Sequence, residues 1–157
     1  ADYIQVREKD LPARNLLPLV KEIIDIARPV RVRTVVNSAL DVALAAGADG
    51  VHLPTGAPPP SAFRPVAPAD FLFTVACHTQ DDVERAAQES ADYAVFSPIF
   101  RPLSKHDTRP PLGLDALRRA SGAGIPILAL GGVSWENAEL CKRAGAAGIA
   151  GICLSPQ

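Results

Sequence analysis

The sequence has no methionine and only three cysteines, Cys77, Cys141 and Cys153, none of them in a CxxC pair. That spacing supports neither a zinc site nor a disulfide framework, and leaves buried, reduced thiols in a cytoplasmic protein as the expectation. An excess of one charge is lacking too. Sixteen Lys and Arg against 17 Asp and Glu leave a formal net charge of −1, so no global field draws the chain to nucleic acid or to an anionic membrane. No apolar run approaches the roughly 18 residues that a membrane-crossing helix needs. The opening ADYIQVREKD has neither the apolar core nor the cleavage site of a secretion signal. The absent methionine, with a strand-like run already under way at Tyr3, predicts that the native amino terminus lies upstream of Ala1.

What is present is alternation. Short apolar runs at Tyr3–Arg7, Val30–Val36, Gly50–Leu53, Phe71–Cys77, Tyr93–Phe96, Ile125–Leu130 and Gly148–Ile152 read as strands covered on both faces. Between them, Leu11–Ala27, Ser38–Ala46, Asp81–Glu89, Leu114–Ser121 and Trp135–Ala144 read as amphipathic helices. Asp10 is placed to cap the first, with Pro12 in its first turn. Thr79 caps the third, Ser134 precedes the last, and Gly145 ends it. The Pro-rich stretch 54–68 reads as a long βα loop rather than a linker, because strand periodicity resumes directly after it.

Strand and helix in strict turn mean parallel strands with right-handed crossovers. Seven strands starting about every 24 residues suit a closed barrel better than an open doubly wound sheet. The expected fold is therefore a single (β/α)8 TIM-barrel domain over residues 1–157. Its first β-α unit and last helix are expected to fall outside the sequence, and open barrel edges favour homo-oligomer formation.

In such a barrel the chemistry gathers at the carboxyl ends of the strands. Gln5, Arg7 and Lys9 share one face by the two-residue period of a strand. Two cations aimed at one site imply an anionic ligand, a phosphorylated small molecule; the alternative is a solvated strand end paired with Glu8 and Asp10. The loop SPIFRPLSKHDTRPPLG is long, basic and rich in hydroxyls, and Ser104 and Lys105 are its phosphate-binding candidates. In ILALGGVSWEN a strand runs into Gly131 and Gly132 ahead of a helix, and with Ile152 and Cys153 these are the two loops that often hold a phosphate in barrels. Asn37 ends one strand and His78 follows another, and His52 reads as structural. The remaining acids and bases form no triad, carboxylate dyad or metal-ligand spacing.

These motifs, in this order, resemble the thiamin phosphate synthase family and its thiazole tautomerase branch. The match runs from Asp2 to about Cys153. It is carried by YIQVREKD, VVNSALDVALAAGADGVHL, DYAVFSPIF with SKHDTR, and ILALGGV. The resemblance implies a transferase of thiamin biosynthesis that joins a pyrimidine-methyl diphosphate to a thiazole phosphate and releases pyrophosphate. It implies Gln5, Arg7, Asn37 and Lys105 on the diphosphate, and Lys9 and Ser104 on pyrophosphate. Backbone N–H groups of Gly131, Gly132, Ile152 and Cys153 would hold the thiazole phosphate, and Arg7, Lys9 and Lys105 would act on the leaving group. It also implies Mg2+, but the family's two magnesium aspartates are replaced here by Ser38 and, after the GVHL run, Ala57. Ala76 and Pro102 replace a serine and a threonine of the pattern, whereas Pro98 is the synthase choice. Two alternatives follow from these departures: a tautomerase-like isomerase with His78 or His106 as base, and a non-catalytic binder of a thiazole or thiamin phosphate.

Overall fold

A computed structural model of the chain describes residues 1–101 and 109–151. It is an α/β fold of seven strands that follow one another in chain order in one sheet. The chain divides into two compact units, residues 1–74 and 75–157. Among the described residues no helix is long and apolar enough to cross a membrane.

The first unit holds β1 (Tyr3–Val6), α1 (Ala13–Ala27), β2 (Arg33–Asn37), α2 (Leu40–Ala46), β3 (Gly50–Leu53), α3 (Pro60–Phe63) and the start of β4 (Leu72–Cys77). Its strands are parallel, with Gln5 beside Val35, Val35 beside Gly50, and Asn37 beside His52. Helix α1 buries Leu16, Val20, Ile24 and Ala27, one stripe at helical spacing, and the strands bury Val6, Val36 and Val51. Gly50 lets β3 lie close to β4: a Cβ there would stand 2.5 Å from the Leu72 carbonyl oxygen.

Four expectations are corrected in this unit. Asp10 does not cap α1; Pro12 occupies that position with no side-chain cap, and its carbonyl accepts from the N–H groups of Asn15 and Leu16. The second strand starts at Arg33 rather than Val30, because Arg28–Val30 form a short 3-10 turn around Pro29 that ends on Arg31 at φ 58°. The second helix starts at Leu40, because Ser38 is left-handed (φ 63°) and its N–H instead donates to the His52 carbonyl at 2.9 Å. The Pro-rich stretch is not all loop. Pro60 starts α3 with a pre-set φ, the Phe63 ring stacks 6.4 Å from that of Phe73, and the Arg64 guanidinium lies 4.7 Å above the Phe73 ring.

The second unit continues β4 and adds α4 (Gln80–Gln88), β5 (Tyr93–Phe96), α5 (Gly113–Ala120), β6 (Ile127–Ala129), α6 (Ala138–Arg143) and β7 (Gly148–Ile149). Its paired strands are also parallel, with Phe96 beside Ala129 and Ala129 beside Ile149. Phe96, Ile99, Leu117, Ile127 and Cys141 pack in its core. Cys77 and Cys141 are buried free thiols, and burial pushes the Cys77 thiol up to about 12. Thr79 caps α4 as expected, in a reciprocal box with Asp82. The last helix begins at Ala138 rather than Trp135. Asn137 folds the preceding residues into a turn, accepting from the Ser134 N–H at 2.9 Å and donating to the Gly132 carbonyl at 2.9 Å.

Candidate functional site

Each unit presents its own set of polar groups at the carboxyl ends of its strands. In the first, the strand carrying the Gln5–Arg7–Lys9 series stops at Val6, so Arg7 and Lys9 follow the strand instead of lying within it. The β1–β2 register explains the stop. Val6 pairs with Val36, and beyond Asn37 the partner chain turns away through left-handed Ser38. Gln5, Arg7 and Lys9 are all exposed.

In-register neighbours of a sheet project to the same side. Asn37, half-buried, is therefore on the face that carries His52, and its Nδ2 donates to Ser38 Oγ at 2.9 Å. His52 is 8% exposed, and its Nδ1 lies 2.8 Å from the Thr74 hydroxyl. Burial first, and then the positive charge of Arg7, lower its pKa to about 4. The imidazole is thus neutral at pH 7, consistent with a structural role.

The second unit holds His78 just past β4. Its Nδ1 lies 2.7 Å from the Ser97 carbonyl oxygen, an atom that can only accept, so this contact is a hydrogen bond when Nδ1 carries a proton. The Arg109 Nη1 stands 2.8 Å from the ring's Nε2 and 2.7 Å from Nδ1. The His78 backbone N–H donates to Asp82 Oδ2 at 3.0 Å. Burial would raise the Asp82 pKa, but the N–H groups of His78 and Thr79, the Thr79 hydroxyl and Arg85 together hold it below the ordinary carboxylate range. The sequence reading missed Arg109. Its only signal was membership of the basic loop, where Ser104 and Lys105 drew the attention.

Gly131 and Gly132 follow β6 with φ 91° and 63°. The segment after β5 lies hard against them. The Ile99 N–H donates to the Leu130 carbonyl and the Phe100 N–H to the Gly131 carbonyl, both at 2.9 Å. The two glycine carbonyls are therefore occupied, Gly131 by Phe100 and Gly132 by Asn137. Their two N–H groups have no partner among the described residues. Two successive left-handed residues with available N–H groups form an anion-accepting turn. Ser104, Lys105, His106, Ile152 and Cys153 lie outside the described residues.

The donors needed for magnesium do not fit. Ser38 offers a hydroxyl held by Asn37, Ala57 offers no donor side chain, and among the described residues no three His, Cys, Asp or Glu come together as a metal site.

The sequence model of the thiamine monophosphate synthase family matches residues 1–153. A putative thiamine-phosphate synthase 2 of Aquifex aeolicus (strain VF5) is 40% identical over 152 residues, 96% of this chain and 81% of the relative. A thiamine-phosphate synthase of Methanoculleus marisnigri is 41% identical over 153 residues, covering 97% of this chain and 72% of its own length. The solved thiamine phosphate pyrophosphorylase from Pyrococcus furiosus superposes with a TM-score of 0.85 at 27% identity, over 97% of this chain and 72% of that one. With a match across nearly its whole length and relatives at about 40% identity, the chain belongs to the thiamine monophosphate synthase family.

Proposed function

We propose that the chain works as a thiamin phosphate synthase, a transferase joining a pyrimidine-methyl diphosphate to a thiazole phosphate. The C–O bond between the pyrimidine methylene and the diphosphate breaks, and the electron pair leaves with pyrophosphate. The thiazole nitrogen gives its lone pair to the carbocation-like methylene, forming the C–N bond of a thiazolium. Gln5, Arg7 and Asn37 hold the diphosphate together with Lys105; Lys9 and Ser104 receive pyrophosphate, and His78 lies against the substrate. Gly131, Gly132, Ile152 and Cys153 hold the thiazole phosphate through backbone N–H groups. Magnesium, where bound in the family, offsets leaving-group charge; here that task rests on Arg7, Lys9 and Lys105. The same reading makes the seven strands part of a single (β/α)8 barrel, in a cytoplasmic protein able to self-associate.

The observation that carries this reading is the Gly131–Gly132 turn, with its carbonyls tied back and its N–H groups available in a family whose relatives are named as synthases. Nothing in those relatives favours the tautomerase or binder alternatives. The test is a coupled assay with both phosphorylated substrates and magnesium supplied: thiamin phosphate should form. If none forms, the synthase reading falls. Isomerisation of the thiazole carboxylate phosphate alone would then select the tautomerase. Silence in both assays, with a thiazole phosphate still raising Tm, would select the binder.

Arg7→Ala should weaken pyrimidine diphosphate binding by about 1.5–3 kcal/mol, the range for a hydrogen bond to a charged group. Titration calorimetry measures it, and an unchanged Kd would remove Arg7 from the site.

A further inference from the structure

The opposite end of the first unit's strands carries a second concentration of charge that the synthase reading does not use. A solvent-open cavity of about 280 Å³ is lined by Arg28, Arg31, Arg33, Thr34 and Asp49, with Ile24 and Val32 as its apolar part. Arg28 and Arg31 bracket the turn between α1 and β2, Arg33 opens β2, and Asp49 directly precedes β3. Asn37, at the far end of β2, is four residues on from Arg33, roughly 13 Å along a strand. The cavity is therefore distinct from the candidate active site.

Three features mark it as built for an anion. First, its positive charge is not neutralised. The Arg33 guanidinium lies 4.6 Å above the Tyr3 ring, and Arg28 Nη2 donates to the Gly47 carbonyl at 3.3 Å. Among the described residues, none of the three arginines pairs with a carboxylate. Asp49 is the one acid in the wall, and its Oδ2 accepts the Thr34 backbone N–H at 2.7 Å. Second, Thr34 is 1% exposed and its hydroxyl is buried with no partner among the described residues. A buried hydroxyl is ordinarily satisfied, so this one calls for an explanation. Third, Arg31 sits in the left-handed region at φ 58°, where glycine would carry no steric penalty. That conformation closes the 3-10 turn, the Arg31 N–H donating to the Arg28 carbonyl at 3.0 Å, and it brings Arg31 into the cavity wall beside Arg28.

We propose that this cavity binds a small phosphate-bearing anion, either inorganic phosphate or a phosphomonoester. Three guanidiniums less one carboxylate leave about two positive charges, matching a phosphate group of about −1.5 to −2 at neutral pH. Guanidinium forks suit tetrahedral oxyanions, and Thr34, whose hydroxyl is without a partner among the described residues, lines the same cavity.

The test is site-resolved. The 15N-labelled chain is titrated with inorganic phosphate, and in a parallel arm with glycerol phosphate, at ionic strength held constant with chloride. The amides of Val32, Arg33, Thr34 and Asp49 should shift and saturate. Gly131 and Gly132 report the proposed active site separately, so either site can fail without the other. Arg31→Gly removes a guanidinium while relieving the left-handed backbone, and should weaken binding by about tenfold or more, the scale of one charge-assisted hydrogen bond. Arg28→Gln should do the same. Tighter binding of glycerol phosphate than of inorganic phosphate assigns the site to an ester; equal binding assigns it to the phosphate group alone. Absent or unsaturable shifts, the same shifts with chloride, or wild-type affinity in both variants would overturn the proposal.

Discussion

Gly132→Ala is expected to lower folding stability by about 2–5 kcal/mol, and Gly131→Ala by a similar amount. Both residues are left-handed, at φ 63° and 91°. Alanine there costs about 1–2 kcal/mol from backbone sterics alone. Space adds a second cost. A Cβ on Gly132 would stand 2.5 Å from the Arg101 carbonyl oxygen and 2.8 Å from Phe100 Cβ; one on Gly131 would stand 2.6 Å from both Cα and Cβ of Pro98. These obstacles are backbone or backbone-proximal atoms, so no rotamer change clears them. Relief requires the segment 97–101 to withdraw, breaking the bonds from Ile99 and Phe100 to Leu130 and Gly131. Overpacking of this kind costs about 1–3 kcal/mol more. Urea unfolding measures the loss. Gly122→Ala is the internal control, since a Cβ there meets nothing within 4 Å, and it should change stability by less than about 0.5 kcal/mol. Because the same withdrawal re-aims the N–H groups of Gly131 and Gly132, thiazole phosphate binding should fail in any variant that still folds. A Gly132→Ala protein as stable as the control would show that this segment yields freely.

The alternation that predicted parallel strands was legible because the strands are mostly apolar and a long helix buries a single stripe, as Leu16, Val20, Ile24 and Ala27 do. Thr79 was legible as a cap because capping is local, set by residues three apart. The errors arose where a longer-range partner overrode the local pattern. Ser38 reads as a helix start, yet its N–H donates to the carbonyl of His52, fourteen places along the chain. Phe63 and Arg64 read as loop, yet Phe73 on β4 gives their segment a surface to fold against. Within the candidate site, Asn37, His78 and the paired glycines could be named because strand ends and glycine turns leave local signatures. Arg109 could not, because only the ring of His78, 31 residues away in sequence, singles it out from other basic residues of its loop. The unsatisfied Thr34 hydroxyl left no trace either, since threonine in a strand is ordinary until its neighbours are known.

Stability should fall as the solution is acidified from pH 6.5 toward 4, with His52 responsible for about 3 kcal/mol of the loss. The imidazole has a pKa near 6.5 in the unfolded chain and about 4 when folded, first because it is buried and second because Arg7 is close. Above pH 6.5 both states hold it neutral and it contributes no pH dependence. Between 6.5 and 4 the unfolded state takes up a proton that the folded state refuses, so acid favours unfolding. Below about 4 both states are protonated and the penalty is complete. At pH 5 it should already amount to about 2 kcal/mol, before most carboxylates titrate. His52→Gln keeps an amide for the Thr74 hydroxyl and removes the titration, so its stability should be nearly flat from pH 6.5 to 5 where the parent slopes. Parallel curves for the two proteins would mean that His52 is solvated and titrates normally. The Arg7 contribution extends the experiment to the proposed site. A diphosphate bound beside Arg7 cancels part of the positive charge felt by the imidazole, so the His52 pKa, followed by NMR, should rise on binding. In Arg7→Ala it should rise without ligand and respond less when ligand is added, because burial alone then sets its value.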